Sequence, residues 1–288
     1  MAFGERLARA MRDNGPLCVG IDPHPQLLDQ WGLPDTPESL LAFGETVIEA
    51  SLQSAAAVKP NAAFFERHGA GGIAALERIL EIAKEKGLLT ILDAKRGDIG
   101  STMQAYAEAY LSPGAPLEAD AVTLSPYLGF GSLAPALQLA ESHGKGIFVL
   151  ALTSNAEGAS VQHAVGPDGA VAKAVAEAAG ELNREELKRN PGPMGSVGLV
   201  VGATVGDAVS ELGIDLAAVN GPLLSPGVGA QGASPADVVK VFGNATSRVL
   251  VSQSRGVLKA GPFVEKLRGA IQAASGAAAY TLGPADEE

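Results

Sequence analysis

Cysteine is almost missing from this chain of 288 residues: Cys18 is the only one. No disulfide can form within the chain, which fits a reducing compartment, and we expect a cytoplasmic protein. Cys18 sits in the apolar run 17–21 and reads as a small buried hydrophobe. Aromatic residues make up only 5%, so the core must be built from aliphatic side chains and alanine, a mixture that favours helices. No apolar window approaches the length of a membrane helix. Arg6, Arg9 and Arg12 are followed by Asp13 and Gly15 and by no apolar signal core, so residues 3–12 read as an amphipathic first helix. Basic charge is in deficit, with 21 Lys and Arg against 32 Asp and Glu and a net charge of −11. This argues against unassisted nucleic-acid binding, which needs a basic surface. A small anion can still be held where a few cations gather. The four histidines, His24, His68, His143 and His163, are dispersed without metal-ligand spacing.

What is present is a repeating alternation. Short apolar runs at 17–21, 55–58, 88–92, 120–124, 146–152, 197–201, 223–224 and 249–251 read as buried strands. Helical patterns follow them, at 36–54, 70–86, 99–111, 131–141, 170–189, 207–212, 237–242 and 263–278. Thr36 before Pro37 has the makings of a helix cap with proline in the first turn. Residues 156–167 read as loop, and the tail from Pro284 as a frayed end. Eight strand-then-helix units with no linker between them predict a (β/α)8 TIM barrel. We expect one domain over residues 1–288, with a longer peripheral segment around 156–190. An open doubly wound sheet is the alternative. Against it, polar residues follow every strand, and no glycine-rich dinucleotide loop follows the first: Gly20 precedes Ile21, Asp22 and Pro23.

The chain turns on residues 88–102, LLTILDAKRGDIGST. An apolar run ends in Asp93, Lys95, Arg96 and Asp98, and burying such charges unpaired would be expensive. Asp93 and Lys95 lie two apart, so an extended backbone puts them on one side. Gly97 permits a tight turn. Asp22, Lys59, Ser125, Thr153 with Asn155, and Arg255 also follow strands. Each alone fits a cap or a surface charge; in a barrel all of them converge on the C-terminal face. The glycines at 227, 229 and 232 free a backbone that can wrap an anion, although no Gly-Lys-Ser/Thr makes it a P-loop. With Arg255-Gly256 in the eighth unit, a phosphate site between units seven and eight is expected.

These pieces, taken in order, resemble the orotidine 5'-phosphate decarboxylase family, in its longer bacterial type-2 branch. The matching segments are GIDPH (20–24), VKPN (58–61), LDAKRGDIGST (92–102), TLSPYLG (123–129), LTSN (152–155), SPGVGAQG (225–232) and SRG (254–256). The resemblance implies that Lys59, Asp93, Lys95 and Asp98 form an alternating lysine–aspartate network. Lys95 would be the general acid and Asp93 would face the substrate carboxylate. Asp22 and Lys59 would bind the ribose hydroxyls, and Ser125 the pyrimidine. Pro226, Gly227, Gln231, Arg255 and Gly256 would hold the 5'-phosphate. Asp98, Ile99 and Thr102 would cross to the partner's site in a homodimer. The resemblance implies neither metal nor organic cofactor; the charge and hydropathy above lead us to expect no nucleic-acid or membrane partner. The alternative is a magnesium-dependent sugar-phosphate decarboxylase or aldol-type synthase of the same barrel group; those carry an acidic residue near the position of Lys59. A Schiff-base aldolase acting through Lys95 fits the acidic setting poorly.

Overall fold

The computed structural model describes residues 1–167, 169–227 and 233–283. Eight parallel strands form its centre: β1 Leu17–Ile21, β2 Ala57–Pro60, β3 Leu89–Arg96, β4 Ala121–Leu124, β5 Gly146–Leu152, β6 Val197–Val201, β7 Leu223–Pro226 and β8 Val249–Gln253. Each pairs with the next, and β8 returns to pair with β1 through Leu17 opposite Val251. That last pairing closes the ring, so the fold is a (β/α)8 TIM barrel and the open sheet is excluded. Among the described residues no helix is long and apolar enough to cross a membrane.

The core has two layers. Between strands and helices, aliphatic side chains such as Val19, Val58, Leu92 and Val251 meet the helix faces. Inside the ring lies a second cluster that includes Cys18, Ala57, Ile91, Ala121, Phe148 and Leu250. Phe3 and Leu7 from the helix Phe3–Asn14 join it and plug the N-terminal end of the barrel. Phe3 meets Phe148 edge-on, with ring centroids 6.0 Å apart. Side chains alternate along a strand, so two residues beyond this layer the inward positions fall to Gly20, Lys59, Asp93 and Thr123. The alternation therefore changes the barrel interior from apolar to charged within one step.

Several sequence expectations hold in detail. Thr36 Oγ1 accepts Ser39 N–H at the start of Pro37–Ser51. The strands predicted at 146–152 and 197–201 match β5 and β6. Others need correction. β3 runs on to Arg96, so Asp93 and Lys95 lie inside the strand and not beyond its end. Gly97 is not a positive-φ turn: a Cβ there would collide with the Ser125 carbonyl, so close approach is what requires glycine. Short helices Pro25–Gln30 and Ala62–Glu66, too brief to show periodicity, precede the main helices of their units. Residues 156–167 are not plain loop: they hold the short helices Ala156–Gly158 and Ala159–Gln162 and one arm of the ribbon Val165–Gly166 with Gly169–Ala170. The tail from Pro284 lies outside the described residues.

Candidate active site

Asp93 is the hub. Its Oδ2 accepts Lys59 Nζ at 2.7 Å, and its Oδ1 accepts Lys95 Nζ at 2.6 Å. Thr123 Oγ1 donates to the same Oδ1 at 3.0 Å. Lys59 and Asp93 side chains are only 9% and 10% exposed, whereas Lys95 is half exposed and reaches toward the barrel mouth. Burial alone would push the Asp93 carboxyl up; the Lys59 and Lys95 ammonium groups reverse that and hold it below the usual carboxylate range. Burial likewise pushes Lys59 down, and the Asp93 and Asp22 carboxylates more than offset it, so Lys59 lies above an ordinary lysine. Below them Cys18 is pushed up to about 12, chiefly by burial, and stays a thiol, as expected of a core hydrophobe.

Lys95 reaches Asp93, but not by the extended geometry that the two-residue spacing suggested. Its φ is +47, a left-handed value uncommon for a lysine. Between β3 and β4, Leu92 faces Val122 and Arg96 faces Leu124, so the strand bulges at 93–95. Arg96 turns away from the lysines: it pairs with Glu66 and lies over the Tyr106 ring at 5.8 Å.

The remaining expected residues surround this hub at the strand ends. Asp22 follows β1, and its buried Oδ1 has no hydrogen-bond partner among the described residues. Such an orphan acceptor is uncommon in a native structure. His24 packs on Phe64, with ring centroids 4.2 Å apart. Ser125 N–H donates to Arg96 O at 2.7 Å, tying the end of β4 to the end of β3. Pro226 pairs with Ser252, so the ends of β7 and β8 are neighbours. Gly227, at φ +95, follows there, and Arg255 and Gly256 open the short helix Arg255–Leu258 with Arg255 exposed. Gln231 lies outside the described residues. Asp98 stands apart: its Oδ1 accepts Ile99 N–H at 2.8 Å, and no ion pair joins it to Lys95 among the described residues of one chain. Ile99 and Thr102 are exposed.

Two contacts escaped the sequence reading. Thr123 lies in a segment noted for its match, yet a threonine in a buried strand reads as packing; its inward register beside Asp93 was the available signal. Gln162 holds the end of β5, accepting Thr153 N–H at 2.9 Å and donating to Thr153 Oγ1 at 2.7 Å. It comes from the segment read as loop. Among the described residues no three His, Cys, Asp or Glu gather as metal ligands.

Comparison with known proteins agrees with this geometry. Residues 15–270 match the family described as orotidine 5'-phosphate decarboxylase / HUMPS. The orotidine 5'-phosphate decarboxylase of Salinispora tropica is 56% identical over 270 residues, 93% of this chain and 94% of the relative. That of Streptomyces coelicolor is 55% identical over 269 residues, 92% of this chain and 93% of the relative. A crystal structure from Streptomyces avermitilis superposes with a TM-score of 0.91 at 52% identity, covering 98% of this chain and 96% of that one. The Leishmania donovani OMP decarboxylase gives a TM-score of 0.76 at 31% identity, covering 98% and 99%. With a lysine–aspartate–lysine array at the mouth of a closed barrel and relatives matched along nearly their whole length, the chain belongs to the orotidine 5'-phosphate decarboxylase / HUMPS family and is an enzyme of the lyase class.

Proposed function

We propose that this enzyme decarboxylates orotidine 5'-monophosphate to uridine 5'-monophosphate and carbon dioxide, the last step of de novo UMP formation, without metal or organic cofactor. The observation that carries the reading is the Asp93 carboxylate fixed between Lys59 and Lys95. When the bond from C6 to the carboxylate breaks, its electron pair stays on C6, where no carbonyl delocalises it. An ammonium already in place stabilises that charge with little reorganisation. Lys95 Nζ then gives its proton to C6 and carbon dioxide departs. Asp93 keeps the Lys95 ammonium in position and faces the substrate carboxylate, so the like-charge contact disappears as carbon dioxide leaves.

The other roles follow the same reading. Asp22, with its orphan Oδ1, and Lys59 take the ribose hydroxyls. Ser125 takes the pyrimidine. Pro226, Gly227, Gln231, Arg255 and Gly256 take the 5'-phosphate, and the adjacency of β7 and β8 supports that grouping. Asp98, Ile99 and Thr102 serve the partner's site in a homodimer. Exposed Ile99, Tyr127 and Leu128, on loops joined by Ser125 N–H to Arg96 O, support an interface there. The segment matches support the type-2 branch, and we read the chain as a single domain with 156–190 peripheral to it.

The test is ultraviolet-monitored turnover of orotidine 5'-monophosphate in EDTA by the wild type and by Lys95→Ala. Wild-type turnover that drops at least about 1,000-fold in the variant is expected. Absent wild-type turnover, with activity on a sugar phosphate once magnesium is added, would favour the aldol-type or sugar-phosphate alternative, against which Lys59 now stands.

A further inference from the structure

The bulge in β3 has a single residue opposite it. Leu92 faces Val122 and Arg96 faces Leu124, which leaves Asp93, Ala94 and Lys95 against Thr123 alone. Extra residues in a bulge lose their ladder partners and bend the strand. A lysine at φ +47 persists only where its surroundings hold it there. Thr123 supplies that hold with one atom. Its Oγ1 accepts the Lys95 backbone N–H at 3.0 Å and donates its own proton to Asp93 Oδ1 at 3.0 Å. Thr123 is 1% exposed, so water cannot readily replace either bond.

The same Asp93 oxygen accepts Lys95 Nζ. The hydroxyl thus touches the lysine at its backbone and, through one carboxylate oxygen, steers its ammonium. A valine would fill the same volume and make neither bond. We propose that Thr123 is a positioning residue for the decarboxylation: it sets the Lys95 backbone and the Asp93 carboxylate together, and so fixes where the Lys95 ammonium stands. It acts through those two groups. The proposal rests on the reading of Lys95 as the proton donor, and its test separates the two.

Thr123→Val removes the hydroxyl at constant volume, and Thr123→Ser keeps it without the methyl. In Thr123→Val, kcat should fall about 10- to 100-fold with KM within about threefold, since misplacement at the reacting group is what is lost. Thr123→Ser should stay within about threefold of the wild type. Hydrogen exchange of the Lys95 amide, read by NMR, should speed up by at least about tenfold in Thr123→Val and remain slow in Thr123→Ser. A purely structural residue would not produce this kcat–KM split together with rescue by serine. Wild-type turnover in Thr123→Val, or equal impairment of Thr123→Ser, overturns the proposal. Should Thr123→Val not fold, Thr123→Ala is read in the same way. If the wild type fails to decarboxylate orotidine 5'-monophosphate, the functional reading falls, and Lys95 amide exchange alone judges Thr123. Slow exchange in Thr123→Val then refutes the positioning role, and fast exchange restored to slow by serine sustains it.

Discussion

Lys59 Nζ stands 2.7 Å from Asp93 Oδ2, with both side chains about nine-tenths buried. Neither charge could be kept in that place alone. Removing one partner of a buried pair leaves the other desolvated and unmatched, at a cost of about 3 kcal/mol. Lys59→Met should therefore lower the thermal midpoint as well as kcat/KM, while Lys59→Arg recovers part of the stability. Calorimetry beside steady-state kinetics checks this; a Lys59→Met enzyme as stable as the wild type would show that Lys95 alone neutralises Asp93.

A second buried pair, Glu118 with Lys145, should contribute to stability against acid. Glu118 accepts Lys145 Nζ at 2.6 Å and Lys84 Nζ at 2.7 Å, and Gly114 N–H at 2.8 Å. Burial pushes this carboxyl up, but the two lysines and the amide hold it at about 2 against an ordinary 4.5. A depressed carboxyl contributes stability that is present above its unfolded pKa and lost as pH falls through the folded one. The stability gap between wild type and Glu118→Gln should be constant above pH 4.5 and shrink between 4.5 and about 2. Denaturant midpoints measured across that window decide it; a gap that does not narrow would contradict the linkage.

Gly20 is inward-facing at the level of Lys59, its partner on β2, and a Cβ there would collide with Ser254 Oγ and crowd Asp22 Oδ2. Gly20→Ala should cost about 1–3 kcal/mol through overpacking. Because Ser254 precedes Arg255 and Asp22 follows β1, KM should rise more than kcat falls. Unchanged KM would mean that neither neighbour contacts substrate.

Phe3 tests the opposite end of the barrel. It is fully buried beneath the ring, against Phe148 and Gly146. Phe3→Ala should cost about 3–5 kcal/mol. At temperatures where the variant remains folded, kcat and KM should match the wild type, because barrel chemistry sits at the other face. A reduced kcat in folded Phe3→Ala would indicate that the plug also sets the strand register at the mouth.

The sequence by itself determined the eight barrel strands to within a few residues, the main helices and the order of the polar strand ends. Those rest on local physics: apolar runs with turn residues after them, a capping threonine at 36, and a period that reports burial. It also marked Asp93, Lys59 and Lys95, because buried-strand sequence has no other use for such charges. Only the tertiary structure decided how they meet. Closure of β8 on β1 is a long-range pairing with no local signature. The bulge at 93–95, the left-handed Lys95 and the hydroxyl of Thr123 arise from the register between β3 and β4, which depends on both strands at once. Gly97 shows the difference in one residue: glycine as a residue type suggested a turn, and its neighbour at the end of the adjacent strand, the Ser125 carbonyl, is the reason it must be glycine.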